Sequence, residues 1–336
     1  MVTEKTIVEE VSGWLRIYND GSVDRTWTGP PEVKFMIDPV PPHQEFSHGI
    51  ATKDVTINGT TNLRVRIYQP EKQHDDQHKL PILLHFHGGG FCVSQPNCFM
   101  YYNIYSRLAK SVPAVIVSVY LRLAPEHRLP AACDDGFEAL MWLRSLAQGQ
   151  SHEPWINKNG NFNRVFLIGD SSGGNVVHEV AARAGNVHDI TPLKLVGAIP
   201  IHPGFMRAER SKSELEKPES PFLTLEMVDK LIKLALPEGC NKDHHLTCPM
   251  GAAAPPLNEL KLPPFLVCVA ENDLMYDTEL EYYEAMKKAE KDVGLVMSNG
   301  MGHCFYLNKI AIDMDPKTGG ETSNLIQSIS EFIKKH

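Results

Sequence analysis

Little in the sequence would carry the chain into a membrane or bind it to nucleic acid. No apolar run reaches the roughly 18 residues of a membrane-spanning helix. Residues 1–10 carry Lys5 and several acids with no apolar segment behind them, unlike a secretory signal peptide. The net charge is -8, and the Lys and Arg residues are scattered, which argues against a nucleic-acid partner. These absences predict a cytoplasmic protein without nucleic-acid or membrane partners.

Cysteine is also sparse, and its placement argues against a disulfide or metal framework. The seven cysteines are dispersed and form no C-x-x-C pair, so they are expected to be reduced thiols. Cys133 and Cys268 lie in apolar runs and are predicted to pack in the core. His85 and His87 have no acidic or Cys residue at a ligand-like spacing. We therefore expect no metal and no cofactor.

What the sequence does contain is an alternation of strand-like and helix-like segments. Continuous apolar runs, typical of strands buried on both faces, occur at 80–86, 114–119, 165–168, 195–201 and 265–270. Segments with apolar residues at three and four spacing, typical of helices, occur at 101–109, 134–146, 175–184 and 278–289. This order predicts a mostly parallel sheet covered by helices on both faces.

Two regions depart from this alternation. Residues 1–50 are rich in proline and read as an N-terminal arm with a short helix at 7–15, followed by a hairpin of strands 53–57 and 63–68 around Asn58-Gly59. Residues 206–262 interrupt two buried strands with a charged stretch and an amphipathic segment at 224–236. Long insertions of this kind often form lids. We expect 206–262 to be a cap, with the arm contributing to it, over a main body formed by 51–205 and 263–336.

The first chemical motif surrounds Ser171. An apolar strand, the pattern G-x-S-x-G and the start of a helix follow one another between 165 and 175, which is the context of a nucleophile elbow. Gly169 and Gly173 are needed because the sharp turn strains the backbone and leaves no room for larger neighbours. Ser171 is the candidate nucleophile.

The second motif is H-G-G-G at 87–90, after a buried strand and upstream of the serine. Glycines at this point allow backbone N–H groups to approach a substrate carbonyl directly. Gly89 and Gly90, with the N–H group of Ser172, are the candidate donors of an oxyanion hole.

A nucleophilic serine needs a base and an orienting acid. After a nucleophile elbow of this kind, the acid comes first along the chain and the histidine second. Asp273 comes just after the buried run 265–270, and Glu271 and Asp277 are rival acids. His303 lies on a glycine-flanked loop near the C-terminus and is the candidate general base.

Three motifs together resemble one known family. H-G-G-G-F at 87–91, R-L-A-P-E-H-R-L-P-A-A at 122–132 and G-D-S-S-G-G-N at 169–175 resemble the plant carboxylesterases of the hormone-sensitive-lipase-like family. Residues 13–31 are similar to the esterase subgroup induced in the plant hypersensitive response. The resemblance implies an α/β-hydrolase fold with a helical cap. It also implies Ser171 as nucleophile, Asp273 as acid, His303 as base, and oxyanion donors at Gly89, Gly90 and Ser172.

The sequence departs from this family at one position beside the R-L-A-P-E motif. Relatives usually have Asp-Tyr before R-L-A-P-E, whereas this chain has Tyr120 and Leu121 before Arg122. Because the acidic residue normally helps to order the loop beneath the active site, we expect different local hydrogen bonding and an unchanged triad.

The predicted activity is hydrolysis of a small-molecule ester or lactone through an acyl-serine intermediate, by a monomer or weak homodimer. Two alternatives remain because one fold hosts many functions. Related plant enzymes catalyse eliminations or cyclisations, as dehydratases and cyclases, and the similar gibberellin receptor binds hormone but lacks the triad histidine. Either substrate contact or core packing is expected for five residues: Phe91, Phe205, Phe222, Met227 and Phe305.

Overall fold

The structure is a computed structural model that describes residues 4–71, 78–187 and 190–336. The strands are β1 (Ile7–Val11), β2 (Leu15–Tyr18), β3 (Val23–Asp24), β4 (Ile50–Asn58), β5 (Leu63–Pro70), β6 (Leu80–Phe86), β7 (Val115–Val119), β8 (Gly160–Asp170), β9 (Leu195–Ile201), β10 (Phe265–Ala270) and β11 (Val293–Ser298). The α-helices are α1 (Phe99–Ser111), α2 (Ala131–Ala147), α3 (Pro154–Asn159), α4 (Ser172–Asn186), α5 (Lys212–Glu216), α6 (Leu225–Ala235), α7 (Tyr276–Lys288), α8 (Lys309–Met314) and α9 (Pro316–Lys335).

A sheet of eight strands organises the molecule, in the spatial order β11, β10, β9, β8, β6, β7, β5, β4. The neighbouring pairs from β11 to β7 are parallel, whereas β7 with β5 and β5 with β4 are antiparallel. The prediction of a mostly parallel sheet is therefore confirmed, including the antiparallel opening hairpin. The carboxyl ends of the parallel strands lie at one edge, where active-site loops are expected.

Helices cover both faces of this sheet. Along β6, Leu84 and Phe86 face a core that includes residues of α2, α4 and α7, whereas Leu83 faces a second core with residues of α1 and α9. Every residue of β6 is buried. A strand covered on both faces has no polar face, which explains the unbroken apolar run in the sequence.

The N-terminal arm is a small antiparallel sheet of β1, β2 and β3, so the prediction of a helix at 7–15 is wrong. Val11 pairs with Leu15 across a tight turn in which Gly13 adopts a φ of 76°. The β-branched residues Ile7, Val8 and Val11 favour a strand, and a positive φ favours glycine and ends any helix.

The segment between β9 and β10 contains α5 and α6. Helix α6 begins at the capping residue Thr224, whose side chain accepts a hydrogen bond from the Met227 N–H. Its buried side chains recur at helical spacing: Met227, Val228, Leu231, Ile232 and Ala235. The amphipathic segment is thus a helix, as predicted. The domain limits proposed from the sequence stay a prediction.

One arginine ties the arm to the loop that carries R-L-A-P-E. Arg25 donates from Nε to the Cys92 carbonyl at 2.6 Å and from Nη2 to the Ala124 carbonyl at 2.9 Å. It also forms a two-point ion pair with Glu126 at 2.8 and 2.5 Å. Such a paired geometry fixes orientation as well as distance, so the arm is held against the body near the glycine loop.

Tyr120 finds a partner away from the catalytic motifs. Its hydroxyl donates to Asp54 Oδ2 at 3.1 Å, beside the two-point pair that Arg66 forms with the same carboxylate. Arg122 is held by Asp135 through its backbone N–H and Nε. Local hydrogen bonding at Tyr120 thus involves the edge strand β4 and its neighbour β5. Among the described residues, no helix is long and apolar enough to cross a membrane.

Candidate active site

Ser171 lies at the sharp turn between β8 and α4, with a φ of 53° and a ψ of -123°. The turn is possible because of its neighbours. A Cβ at Gly173 would lie 2.0 Å from the Phe86 carbonyl oxygen, and one at Gly169 would lie 2.4 Å from the Gly173 carbonyl oxygen. Residues with side chains would therefore force the strand and helix apart. The positive φ at a non-glycine residue is a strained state of the kind found at functional sites.

His303 and Asp273 are hydrogen-bonded to each other. His303 Nδ1 lies 2.6 Å from Asp273 Oδ2, and Asp273 Oδ1 accepts a bond from the Met275 N–H at 3.0 Å. Asp273 is fully buried. Burial disfavours the charged imidazole, but the Asp273 carboxylate outweighs it and raises the pKa of His303 well above its usual value. Asp273 thus keeps a proton on Nδ1 of His303, so that Nε2 is the acceptor whenever the ring is neutral.

The two rival acids are engaged elsewhere. Glu271 Oε2 accepts a hydrogen bond from the Gly300 N–H at 2.6 Å, and Asp277 Oδ2 accepts one from the Ser213 N–H at 2.7 Å. Neither is hydrogen-bonded to His303 in the described part of the chain. Of the three acids that the sequence left open, the structure joins Asp273 to the histidine.

The glycine loop presents free backbone donors beside Ser171. The Gly88 N–H donates to the Tyr101 hydroxyl at 2.9 Å. Among the described residues, the N–H groups of Gly89, Gly90 and Ser172 donate to no protein group. Gly89 has a φ of 103°, and a Cβ there would lie 2.2 Å from the Val93 carbonyl oxygen. Only glycine fits this conformation, which exposes the donors to the cavity.

Ser171, Gly89, Gly90 and His303 line one cavity of about 560 Å³. This volume lies within the range of small-molecule sites. Ser171 and His303 form no direct hydrogen bond in the described part of the chain; such bonds often tighten only when substrate binds. Five candidate lining residues divide between cavity and core. Phe222 and Phe305 line the cavity, whereas Phe91, Phe205 and Met227 pack in the core.

A second, much smaller chamber of about 30 Å³ lies between Ser171 and helix α6. Leu231 and Gly90 border both spaces, and the apolar side chains of Val228, Ile232 and Met206 close the small one. A bound molecule at Ser171 therefore has a roomy side and a confined side.

Asp170, directly before the serine, is a functional residue that the sequence motifs did not single out. Its buried carboxylate accepts hydrogen bonds from His85 Nε2 at 2.8 Å, from the Tyr105 hydroxyl at 2.6 Å and from the Tyr306 hydroxyl. Burial lowers the pKa of His85, so the ring is neutral, and its Nδ1 accepts from Ser118. Asp170 thereby anchors the elbow to β6, α1 and the segment after His303.

Two groups of side chains bring three potential metal ligands within 4.8 Å of one another in the described part of the chain. One is His202, His303 and Cys304, and the other is Asp273, Glu279 and His303. His202 Nδ1 accepts the Cys304 N–H at 2.8 Å, so its proton is on Nε2, which has no free lone pair. His303 Nδ1 is already bonded to Asp273. One ring nitrogen of each histidine is thus already engaged in a hydrogen bond.

Comparison with known proteins agrees with this geometry. Residues 83–307 match the family model described as "alpha/beta hydrolase fold". The chain belongs to the α/β-hydrolase family. It is 34% identical over 304 residues to "Probable carboxylesterase 6" of Arabidopsis thaliana, and the aligned region covers 90% of this chain and 85% of the relative. Within the family it therefore groups with the plant carboxylesterase-like proteins that the motifs predicted.

Two further similarities extend the comparison. The chain is 34% identical over 337 residues to "2-hydroxyisoflavanone dehydratase" of Glycyrrhiza echinata, covering 98% of this chain and 97% of the relative. A solved esterase of the archaeon Pyrobaculum calidifontis superposes with a TM-score of 0.69 at 26% identity, over 87% of each chain. The family thus includes an esterase and a dehydratase, so membership does not choose between these reactions.

Proposed function

We propose that the protein is a serine carboxylesterase that hydrolyses a small-molecule ester through an acyl-enzyme on Ser171. The observation that carries this proposal is His303, which is held 2.6 Å from buried Asp273 and lines the same cavity as a strained serine with free N–H groups beside it. This combination supplies a nucleophile, a base with a fixed tautomer and an anion site.

In the proposed reaction, Ser171 Oγ attacks the ester carbonyl while His303 Nε2 takes the hydroxyl proton. Asp273 orients the ring and stabilises the imidazolium that forms. His303 then donates its proton to the departing alkoxide, which leaves as the alcohol. A water molecule, deprotonated by His303, attacks the acyl-serine and releases the acid.

The tetrahedral intermediate of each step carries a negative charge on the former carbonyl oxygen. The free N–H groups of Gly89, Gly90 and Ser172 are the proposed donors to that oxygen. Loss of one such donor typically raises the barrier by about 3 kcal/mol. The first turn of α4 adds the favourable end of the helix dipole.

The lining of the large cavity supports an amphipathic small molecule as the substrate. Trp14, Met36 and Phe222 contribute apolar surface to its lining, and Lys317 and Asn308 contribute polar groups. An ester or lactone with an apolar body and a polar end fits such a mixed lining. A monomer or weak dimer in the cytoplasm stays our prediction.

Replacement of Ser171 by alanine tests the proposal. We expect Ser171→Ala to abolish turnover of 4-nitrophenyl acetate while its thermal unfolding stays close to that of the parent. Ser323→Ala, an exposed serine on α9, is the matched control and should keep full activity. Mass spectrometry after brief mixing should show an acetyl group on the Ser171 peptide. Full activity of folded Ser171→Ala would refute the assignment.

A second function is elimination, favoured by the full-length similarity to the dehydratase. In that case His303 would move a proton without an acyl-enzyme, and Ser171 would not be acylated. Product analysis separates the two. Hydrolysis yields an acid and an alcohol with one oxygen from labelled water in the acid, whereas dehydration yields an unsaturated product and incorporates none.

A further inference from the structure

Glu279 is a buried carboxyl group that the proposed mechanism does not use. It lies on α7 and is 0% exposed. Counted as acceptors, neither of its two carboxyl oxygens has a hydrogen-bond partner among the described residues. One of them lies within 4.8 Å of a carboxylate oxygen of Asp273 and a ring nitrogen of His303. A carboxyl buried in this way must be neutral or find a donor.

Two carboxyl groups in one buried place do not both ionise. Asp273 has the stabilising partners, since it accepts from His303 Nδ1 and from the Met275 N–H. Glu279 has none of these. Burial, and then repulsion from Asp273, raises the pKa of Glu279 well above its usual value. Glu279 therefore keeps its proton at neutral pH, and a protonated carboxyl has one O–H to donate.

We propose that Glu279 is a positioning residue whose neutral carboxyl group donates a hydrogen bond to the Asp273 carboxylate, so that Asp273 is held between Glu279 and His303. The inference rests on the proposed function in taking Asp273 and His303 as the acid and base. A bound cation is the competing explanation of the three-residue cluster. It would have to displace the Nδ1 proton that already joins His303 to Asp273.

The other titratable groups facing this cluster stay neutral near pH 7. Cys268 on β10 and Cys304 beside His303 have thiol pKa values raised by burial. Burial lowers the pKa of His202, after β9, to about 4. His303 is thus the group of the cluster whose titration reports what Glu279 does to Asp273.

The direction of that titration distinguishes a neutral Glu279 from a charged one. A hydrogen bond donated to Asp273 partly offsets the carboxylate charge that stabilises the His303 imidazolium. It therefore lowers the pKa of His303. Loss of the donor in Glu279→Leu should move the acid limb of kcat/KM upward by about one pH unit. Glu279→Gln keeps an N–H donor and should restore the parental limb.

The experiment measures kcat/KM for 4-nitrophenyl acetate from acid to alkaline pH in the parent, Glu279→Leu and Glu279→Gln. Glu284→Leu and Glu284→Gln, at an exposed position of the same helix, are matched controls and should leave the profile unchanged. A downward shift in both Glu279 variants would mean that Glu279 is ionised. No shift in folded Glu279→Leu would mean that it does not act on Asp273. Either result overturns the proposal.

Two readouts do not require turnover. NMR titration of the His303 ring in Ser171→Ala, with and without Glu279→Leu, should show the same upward shift even if no ester is hydrolysed. Infrared spectra of the parent at neutral pH should contain a protonated-carboxyl band that Glu279→Gln loses. If Glu279→Leu does not fold, this band decides the question, and its absence from the parent refutes a neutral Glu279.

Discussion

The small chamber beside Ser171 predicts a limit on one side of the substrate. The two halves of an ester leave its carbonyl in different directions, so we expect one half to enter the space of about 30 Å³ beside Ser171. That space holds roughly two or three non-hydrogen atoms, since one water-sized sphere occupies about 10–15 Å³. A methylene that does not fit a pocket changes kcat/KM by about tenfold or more. We expect a sharp fall in kcat/KM after about three carbons in one ester series.

Val228 is the side chain with which to test this limit, because it is 4% exposed and borders only the small chamber. Val228→Ala removes two methyl groups, and we expect it to raise kcat/KM about tenfold for the first chain length that the parent excludes. The assay uses 4-nitrophenyl esters from acetate to octanoate, and alkyl acetates of increasing alcohol length. Val8→Ala, 62% exposed on β1, is the matched control. Equal rates along both series in the parent would refute the reasoning.

Three further predictions concern stability, each measured by urea unfolding. Gly173→Ala should destabilise the protein by about 3 kcal/mol, because its Cβ would lie 2.0 Å from the Phe86 carbonyl oxygen. The control Gly320→Ala, in open space on α9, should stabilise it by up to about 1 kcal/mol. Equal effects of the two substitutions would contradict the crowding argument. Tyr105→Phe removes a 2.6 Å hydrogen bond to Asp170 and should lower the free energy of unfolding by about 2 kcal/mol. Tyr283 is half-buried, and Tyr283→Phe should change stability little. A loss of stability in Tyr105→Phe no larger than in Tyr283→Phe would count against the network. Burial lowers the pKa values of three histidines to about 4: His87, His178 and His202. Between pH 6.5 and 4 the unfolded chain therefore binds more protons than the folded one. The free energy of unfolding should be highest above pH 6.5 and fall toward pH 4 by about 1.4 kcal/mol per histidine and pH unit. A profile that does not change with pH would contradict the burial of these histidines in neutral form.

The central sheet could be predicted from the sequence because its strands are buried on both faces. The runs at 80–86, 195–201 and 265–270 coincide with β6, β9 and β10, since each apolar run ends where the strand leaves the core. The prediction for the N-terminal arm was wrong for the opposite reason. Its strands β1 and β2 are short and partly exposed, so burial leaves only a weak alternation in the sequence that does not distinguish a strand from the predicted helix.

The candidate site was predictable where backbone geometry demands glycine, and not where side chains meet across the fold. Gly89, Gly169 and Gly173 occupy positions that a Cβ would fill, so the motifs mark the turn. Asp170 was missed because its partners come from β6, α1 and the segment after His303. Glu279 did leave a signal. On α7 it falls in a buried stripe with Met275, Tyr282 and Met286, where a carboxyl is out of place.

The arm fixed by Arg25 has a consequence for how substrate choice can change. Trp14 of the arm and Phe222 of the 206–262 segment line the same cavity as Ser171, yet neither lies on a strand or helix of the central sheet. Selection can therefore remodel what enters the cavity through two peripheral segments while the reacting groups stay constant. Relatives with the same motifs but different arms are expected to differ in substrate, and exchanging residues 1–50 between two of them should transfer part of that preference.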